Sequence, residues 1–161
     1  VTKAARKKGR YPYYGASGVV DHVADYIFSG PSLLVSEDGA NLLARTTPIA
    51  FSASGEYWVN NHAHVLQFLD MATQRCVEFY LETIPLDQFV TGTAQPKLTQ
   101  KALNSIPIRL PKDAAGRKEL VQDIESAVVD TRTLQRIYSR KREVVTALRK
   151  ALLQQACLSS W

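Results

Sequence analysis

Along the first 110 residues, short apolar runs alternate with turn-forming residues. The runs are Gly18-Val19-Val20, Tyr26-Ile27-Phe28, Leu33-Leu34-Val35, Ile49-Ala50-Phe51, Tyr57-Trp58-Val59 and Val65-Leu66-Gln67-Phe68-Leu69, and Ser29-Gly30-Pro31, Glu37-Asp38-Gly39 and Ser54-Gly55 punctuate them. Runs this short, rich in β-branched and aromatic residues, predict a many-stranded β region. One helix interrupts it from about Met71 to Leu81, where Ala72, Cys76, Phe79 and Tyr80 recur at helical spacing. A short helix is expected after Thr99, whose hydroxyl can cap it while Leu98 packs back as a staple. Pro107 and Pro111 then bracket an extended stretch from Ile106 to Leu110.

After Pro111 the turn residues almost vanish: no Pro follows, and the last Gly is Gly116. Leu120, Ile124, Val128, Leu134, Tyr138, Val145, Leu148 and Leu152 fall on one stripe, widened by Val121, Ile137 and Val144 and broken by Thr131 and Lys141. This predicts one helix from about Ala114 to Gln155, ~60 Å long at the α-helical rise. A helix of that length with one apolar stripe needs another helix to cover it. Its charges are polarised, with Asp113, Glu119, Asp123, Glu125 and Asp130 in the first half and Arg132, Arg136, Arg140, Lys141, Arg142, Arg149 and Lys150 in the second. The polarity suits the helix dipole and lets an antiparallel copy set acid beside base. The expected association is therefore an antiparallel homodimer through the stripe. The predicted class is α+β: a mixed, β-rich domain over residues 1–111, then a single long helix within 112–161.

Composition narrows the possibilities. The chain has 161 residues, 45% hydrophobic and 22% charged, which suits one domain with a core and one appendage. No apolar run approaches the ~20 residues needed to span a bilayer, and no secretory signal opens the chain. A cytoplasmic location is the expectation. The missing initiator Met points to a processed or excised chain. Cys76 and Cys157 lie far apart with no CxxC pair, so free thiols are expected, not a disulfide scaffold or a Cys-ligated zinc site.

The net charge of +5 is unevenly placed. Lys3, Arg6, Lys7, Lys8 and Arg10 carry all of it within the first 14 residues; the remaining 15 basic and 15 acidic residues cancel. A basic head beside Tyr11, Tyr13 and Tyr14 can act as a phosphate-contacting arm; the plainer alternative is a frayed terminus kept soluble by charge.

Two constellations carry candidate chemistry. In Asn60-Asn61-His62-Ala63-His64, two histidines two apart in a strand would share a face, and Glu37 and Asp38 could complete a metal site. No HExxH or Cys partner accompanies them, and two ligands of one type do not close a site, so no bound metal is expected. No nucleophile elbow, Walker loop or dinucleotide fingerprint is present. The second constellation is the polar stretch from Thr91 to Lys101, with Thr93, Gln95, Lys97, Thr99 and Lys101 running into a helix start. Gln can pair bidentately with adenine, and Lys can reach guanine or phosphate. This loop is a candidate polyanion contact; the plainer alternative is a solvated, capped loop. Should the polyanion be DNA, the loop is expected on the same side as the basic head, with Tyr13, Tyr14 and Ser17 as further base-contact candidates.

Three stretches together resemble the target-recognition domain of type I restriction–modification specificity subunits. They are Tyr11-Pro12-Tyr13-Tyr14-Gly15-Ala16-Ser17-Gly18-Val19-Val20-Asp21; Leu33 to Asn41 with Trp58 to Leu66; and Gly92 to Leu98 followed by Ile106-Pro107-Ile108. The resemblance implies a mixed recognition domain followed by a long helix. Two such units would sit at the ends of an antiparallel helix pair, each reading half of a split duplex DNA target. It implies no catalysis in this chain. S-adenosylmethionine would belong to methyltransferase subunits, and ATP and Mg to a nuclease–translocase restriction subunit. It also implies half a specificity subunit, acting as a homodimer or within a longer two-domain chain. The helix opens Pro111-Lys112-Asp113-Ala114-Ala115-Gly116-Arg117, without the Pro-Pro-Leu-x-x-Gln often found in the family. Two other functions stay open: a helix-mediated assembly module without strong DNA binding, and a metal-dependent enzyme using His62 and His64.

Overall fold

A computed structural model describes residues 6–92 and 94–158. In chain order the elements are β1 (Lys8–Gly15), β2 (Gly18–Val23), β3 (Phe28–Ser29), β4 (Ser32–Ser36), α1 (Asn41–Ala44), β5 (Ala50–Ala53), β6 (Glu56–Val59), β7 (Ala63–Leu66), α2 (Met71–Thr83), α3 (Gln100–Asn104) and α4 (Ala114–Leu158). They divide into two compact units, the first ending at Lys118 and the second beginning at Glu119.

In the first unit a four-stranded sheet has the order β2-β1-β6-β3, and a three-stranded sheet the order β5-β4-β7. β1 and β2 form a hairpin around Ala16-Ser17, with Gly15 opposite Gly18. Gly18 has φ 121°, a value that favours glycine, and it follows the turn where the strands must regain their twist. On its other side β1 runs parallel to β6, Tyr13 opposite Trp58 and Tyr14 opposite Val59. That pairing begins only after Pro12, so the proline's missing N–H falls where β1 is still an edge.

β4 is buried along its whole length. Alternate side chains of a strand point to opposite faces, and β4 uses both. Leu33 and Val35 join Leu42, Ile49, Val77, Leu81, Leu86, Leu98, Leu103 and Ile106 in a core shared with the helices. Leu34 joins Ala53, Tyr57, Val59 and Ala63 between the sheets, with Tyr14, Phe28, Phe51 and Val65 packed against them.

Polar contacts fix the helices to this stack. Asp70 caps α2 by accepting from the Thr73 amide and hydroxyl, both at 2.7 Å. At the other end, Arg45 donates to the carbonyls of Leu81 (3.0 Å) and Ile84 (2.8 Å), which the helix leaves unpaired. Glu82 accepts from the amides of Ile49 (2.7 Å) and Ala50 (2.8 Å), tying α2 to β5. Thr99 caps α3 through the Ala102 amide, and Leu98 and Leu103 meet in the core as the expected staple. At the start of α4, Arg117 donates to the carbonyls of Pro111 and Lys112 and lies 3.7 Å from Asp70. Arg117 thus ties the first turn of α4 to the residues that lead into it and to the Asp70 cap.

The architecture is the expected α+β arrangement of a mixed, several-stranded domain with a long C-terminal helix. α2 and α3 fall where periodicity and capping place them. Other boundaries differ. Residues 8–15 form a strand at the heart of a sheet, not an arm or a frayed end. The Tyr26-Phe28 run shortens to a two-residue β3, because Ile27 donates to Tyr57 beyond the regular ladder and stays exposed. The run beginning at Val65 pairs earlier, from Ala63, and ends at Leu66, where the chain turns towards the Asp70 cap.

Two outcomes are expected. Leu34→Ala should destabilise the fold by about 2–5 kcal/mol, measured by urea unfolding, because it leaves a void between two sheets. The hydrogen bonds from Thr73 hold the Asp70 carboxyl below the ordinary carboxylate range. A depressed native pKa gives stability that is complete above the unfolded pKa and lost as pH falls through the native one. Asp70→Asn keeps the cap without the titration, so its melting temperature should fall less steeply than the wild type's on acidification below about pH 4.

Candidate nucleic-acid interface

Four segments meet where β1 ends and β7 begins. The Ser36 hydroxyl donates to the carbonyl of Ala16 in the β1–β2 turn. Asn60 donates from its amide to Tyr14, and Glu37 from its amide to His62. The amides of Gly39 and Leu98 donate to Pro96 (2.9 Å) and Glu37 (2.7 Å). Thr91 and Lys97 exchange backbone bonds of 2.9 and 2.8 Å, closing the intervening loop. Gly92, at φ 84°, makes the turn; a Cβ there would come within 2.7 Å of the Gln95 carbonyl oxygen. Backbone pairing on two sides therefore holds this polar loop on the β4–α1 connection.

Charges here are largely matched. Lys97 lies 2.9 Å from Glu37, whose carboxylate raises the lysine pKa. His62 lies in the turn before β7, its Nδ1 2.8 Å from Asp38. His64, inside β7, donates from Nε2 to the Leu98 carbonyl at 2.7 Å. The two histidines thus take separate partners and do not lie in one strand, because pairing with β4 starts only at Ala63. Among the described residues, no group of three or more His, Cys, Asp or Glu side chains is placed to hold a metal ion. Gln95, Ser17 and Lys101 are exposed, while Thr99 is engaged as a helix cap.

The basic head lies at the other end of β1, roughly 20 Å away by strand rise. The head and the loop are thus separated by the length of β1, because residues 8–15 are spent crossing the sheet. Lys7, Lys8 and Arg10 are exposed there. Arg10 packs over Tyr11 at 4.8 Å, and Tyr11 lies tilted against Tyr26 at 5.0 Å. A separate cleft of about 180 Å³ is lined by Arg6, Lys7, Tyr13, Asp25 and Trp58 among others. Within the wall of that cleft Arg6 is already engaged: it pairs with Asp21 at 3.2 Å and covers the Tyr13 ring at 4.3 Å.

One candidate base contact is corrected, and a second is half-buried. Tyr13 is 1% exposed beneath Trp58 and Arg6. Tyr14 lies edge-on to Tyr57 between the sheets, where burial raises its phenol pKa. Alternation along β1 sends both into packing, one on each face. Lys3 and Thr93 lie outside the described residues. From sequence, Asn60-Asn61-His62 stood out as part of a metal motif and of the family resemblance; its turn-forming asparagines were the available sign that it belongs with the loops.

Comparison with known proteins agrees with this fold. The family model described as the type I restriction modification DNA specificity domain matches residues 1–135. The chain belongs to that family. It is 35% identical over 111 residues to a Haemophilus influenzae protein named as a type I restriction enzyme specificity subunit, covering 69% of this chain and 28% of that one. The crystal structure of a type I restriction–modification S subunit from M. genitalium shares the fold, with a TM-score of 0.57 at 12% identity. That match covers 82% of this chain and 35% of the other, so the chain spans about a third of these relatives.

Gly92→Ala should loosen the loop, costing on the order of 1 kcal/mol or more in thermal unfolding. Its amide signals at Gln95 and Lys97 should shift, while those in the inter-sheet core should not.

Proposed function

We propose that this chain reads one half of a split duplex DNA target as the specificity module of a type I restriction–modification assembly. It brings methyltransferase subunits, and a restriction subunit where one exists, to that site in the cytoplasm. The module performs no chemistry: S-adenosylmethionine, ATP and Mg act on the partner subunits. The long helix pairs with a second helix, supplied by another copy or by a second repeat of a longer chain, and sets the distance between two half-sites. The stripe contacts would be Leu120, Ile124, Val128, Leu134, Tyr138, Val145, Leu148 and Leu152, each buried leucine contributing roughly 1.5–3 kcal/mol.

The observation that carries DNA contact is the run of exposed cations Lys7, Lys8 and Arg10, carried at or next to the start of a strand bonded into a sheet. A rigid base spares the entropy cost of ordering an arm on binding. These groups suit phosphates, whereas the exposed Gln95 amide and Lys101 on the pinned loop suit base edges.

Titration of specific and scrambled duplexes at two salt concentrations tests both roles. Neutralising Lys7, Lys8 and Arg10 together should weaken binding to every duplex and flatten the salt slope by about 0.9 for each phosphate that is no longer neutralised. Gln95→Ala should cost more on the true half-site than on scrambled DNA, by on the order of 1–3 kcal/mol. Wild-type binding indifferent to both sequence and salt would remove the proposal.

A further inference from the structure

We infer that α4 selects a second copy of itself in one orientation and one register, antiparallel and centred on Arg136, and that Thr131 and Lys141 form the selecting layer. The inference rests on α4 being a pairing helix, as proposed above, and adds which partner it fits and how alternatives are rejected.

The stripe is uncovered: Leu134 is 53% exposed and Leu148 58%. Its outer members, Leu120 and Leu152, stand equally far from Arg136, as do Ile124 and Leu148, and Leu134 and Tyr138. Any regular heptad stripe can be reflected about some point. What regularity does not supply is that the two polar breaks, Thr131 and Lys141, also reflect onto each other about that same residue. In the antiparallel pair each lysine then faces a threonine, twice.

The local chemistry fits that meeting. The Thr131 hydroxyl donates to its own helix at Ala127, 2.8 Å away, so its oxygen keeps lone pairs for an ammonium. The Lys141 ammonium lies 5.7 Å from the Tyr138 ring centroid, at the edge of the stripe. A parallel pair would set Lys141 against Lys141 and the basic second half against itself. A slip of one heptad would set Lys141 against Ile124 or Tyr138, and Thr131 against a leucine, leaving an ammonium in an apolar layer without its partner. Each alternative therefore meets a specific penalty, which is how a single polar layer fixes pairing.

Charge exchange across the layer tests this in the 161-residue chain, with dimerisation followed by analytical ultracentrifugation. Thr131→Lys should weaken the dimer about tenfold or more by opposing two ammonium groups. Adding Lys141→Glu to that variant should restore it to within a few-fold of wild type, and Thr131→Glu alone should tighten it. The native thiol reports orientation. Cys157 is exposed and in this register lies opposite position 115, so mild oxidation should give no disulfide between copies. A dimer that is not rescued by the double change, or that forms the Cys157 disulfide, overturns the register while leaving helix pairing and DNA recognition standing. A wild type that stays monomeric at high concentration overturns self-pairing as well.

Discussion

The first unit depends on burying both faces of a single strand. Ser32-Leu33-Leu34-Val35-Ser36 holds three consecutive apolar side chains between two polar ends, and a strand sends them to opposite sides. One face requires the helices and the other requires the second sheet. Neither layer is optional, because removing either would expose leucine or valine to water. With β5 and β7 bonded to its edges, β4 fixes the register of its own sheet through Leu33 opposite Ser52 and Leu66, and thereby fixes where the loops emerge.

Those loops inherit their order from that arrangement. The β4–α1 connection leaves the end of the central strand and offers backbone groups to the Asn60–His62 turn on one side and to the 91–98 loop on the other. The Glu37–Lys97 ion pair and the Asp38–His62 hydrogen bond overlie bonds already made by the main chain. An exposed amide such as Gln95 is thus carried on a loop whose ends are already hydrogen-bonded. At the far end of β1 the cations stand on sheet instead of loop. The two surfaces differ in chemistry: the first carries exposed Lys7 and Lys8 beside Arg10, which is 4.0 Å from Glu56, and the second sets exposed Gln95 and Lys101 beside the Lys97–Glu37 pair. That difference matches the division between holding a backbone and distinguishing bases.

Much of the secondary structure was legible because its signals are local. Period, cap and breaker lie within a few residues of one another in Thr99–Leu103, in Met71–Leu81 and along the helix after Pro111. β1 was not legible for the opposite reason. Its first residues are charged and it contains a proline, so by composition it resembles a tail. Only hydrogen bonds to β2 on one side and to the sequence-distant β6 on the other make it the centre of a sheet. The same blindness affected the site. Tyr13 and Tyr14 beside a basic head suggest contact with nucleic acid, but their exposure depends on what covers each face of β1, and that is a tertiary fact.

By itself, then, the sequence determined the two-part texture, the capped helices, the apolar stripe with its two polar breaks and the concentration of positive charge at the start, because each follows from residue types at short spacing. Tertiary structure decided which polar residues remain available. It took Arg6 to Asp21 and Tyr13, Lys97 to Glu37, His62 to Asp38 and Thr99 to the start of α3, and it set the head and the loop at opposite ends of one strand. The physical reason is that a polar side chain's availability depends on the partners that folding brings within about 3 Å, the reach of a hydrogen bond, and those partners come from parts of the chain that local patterns cannot relate.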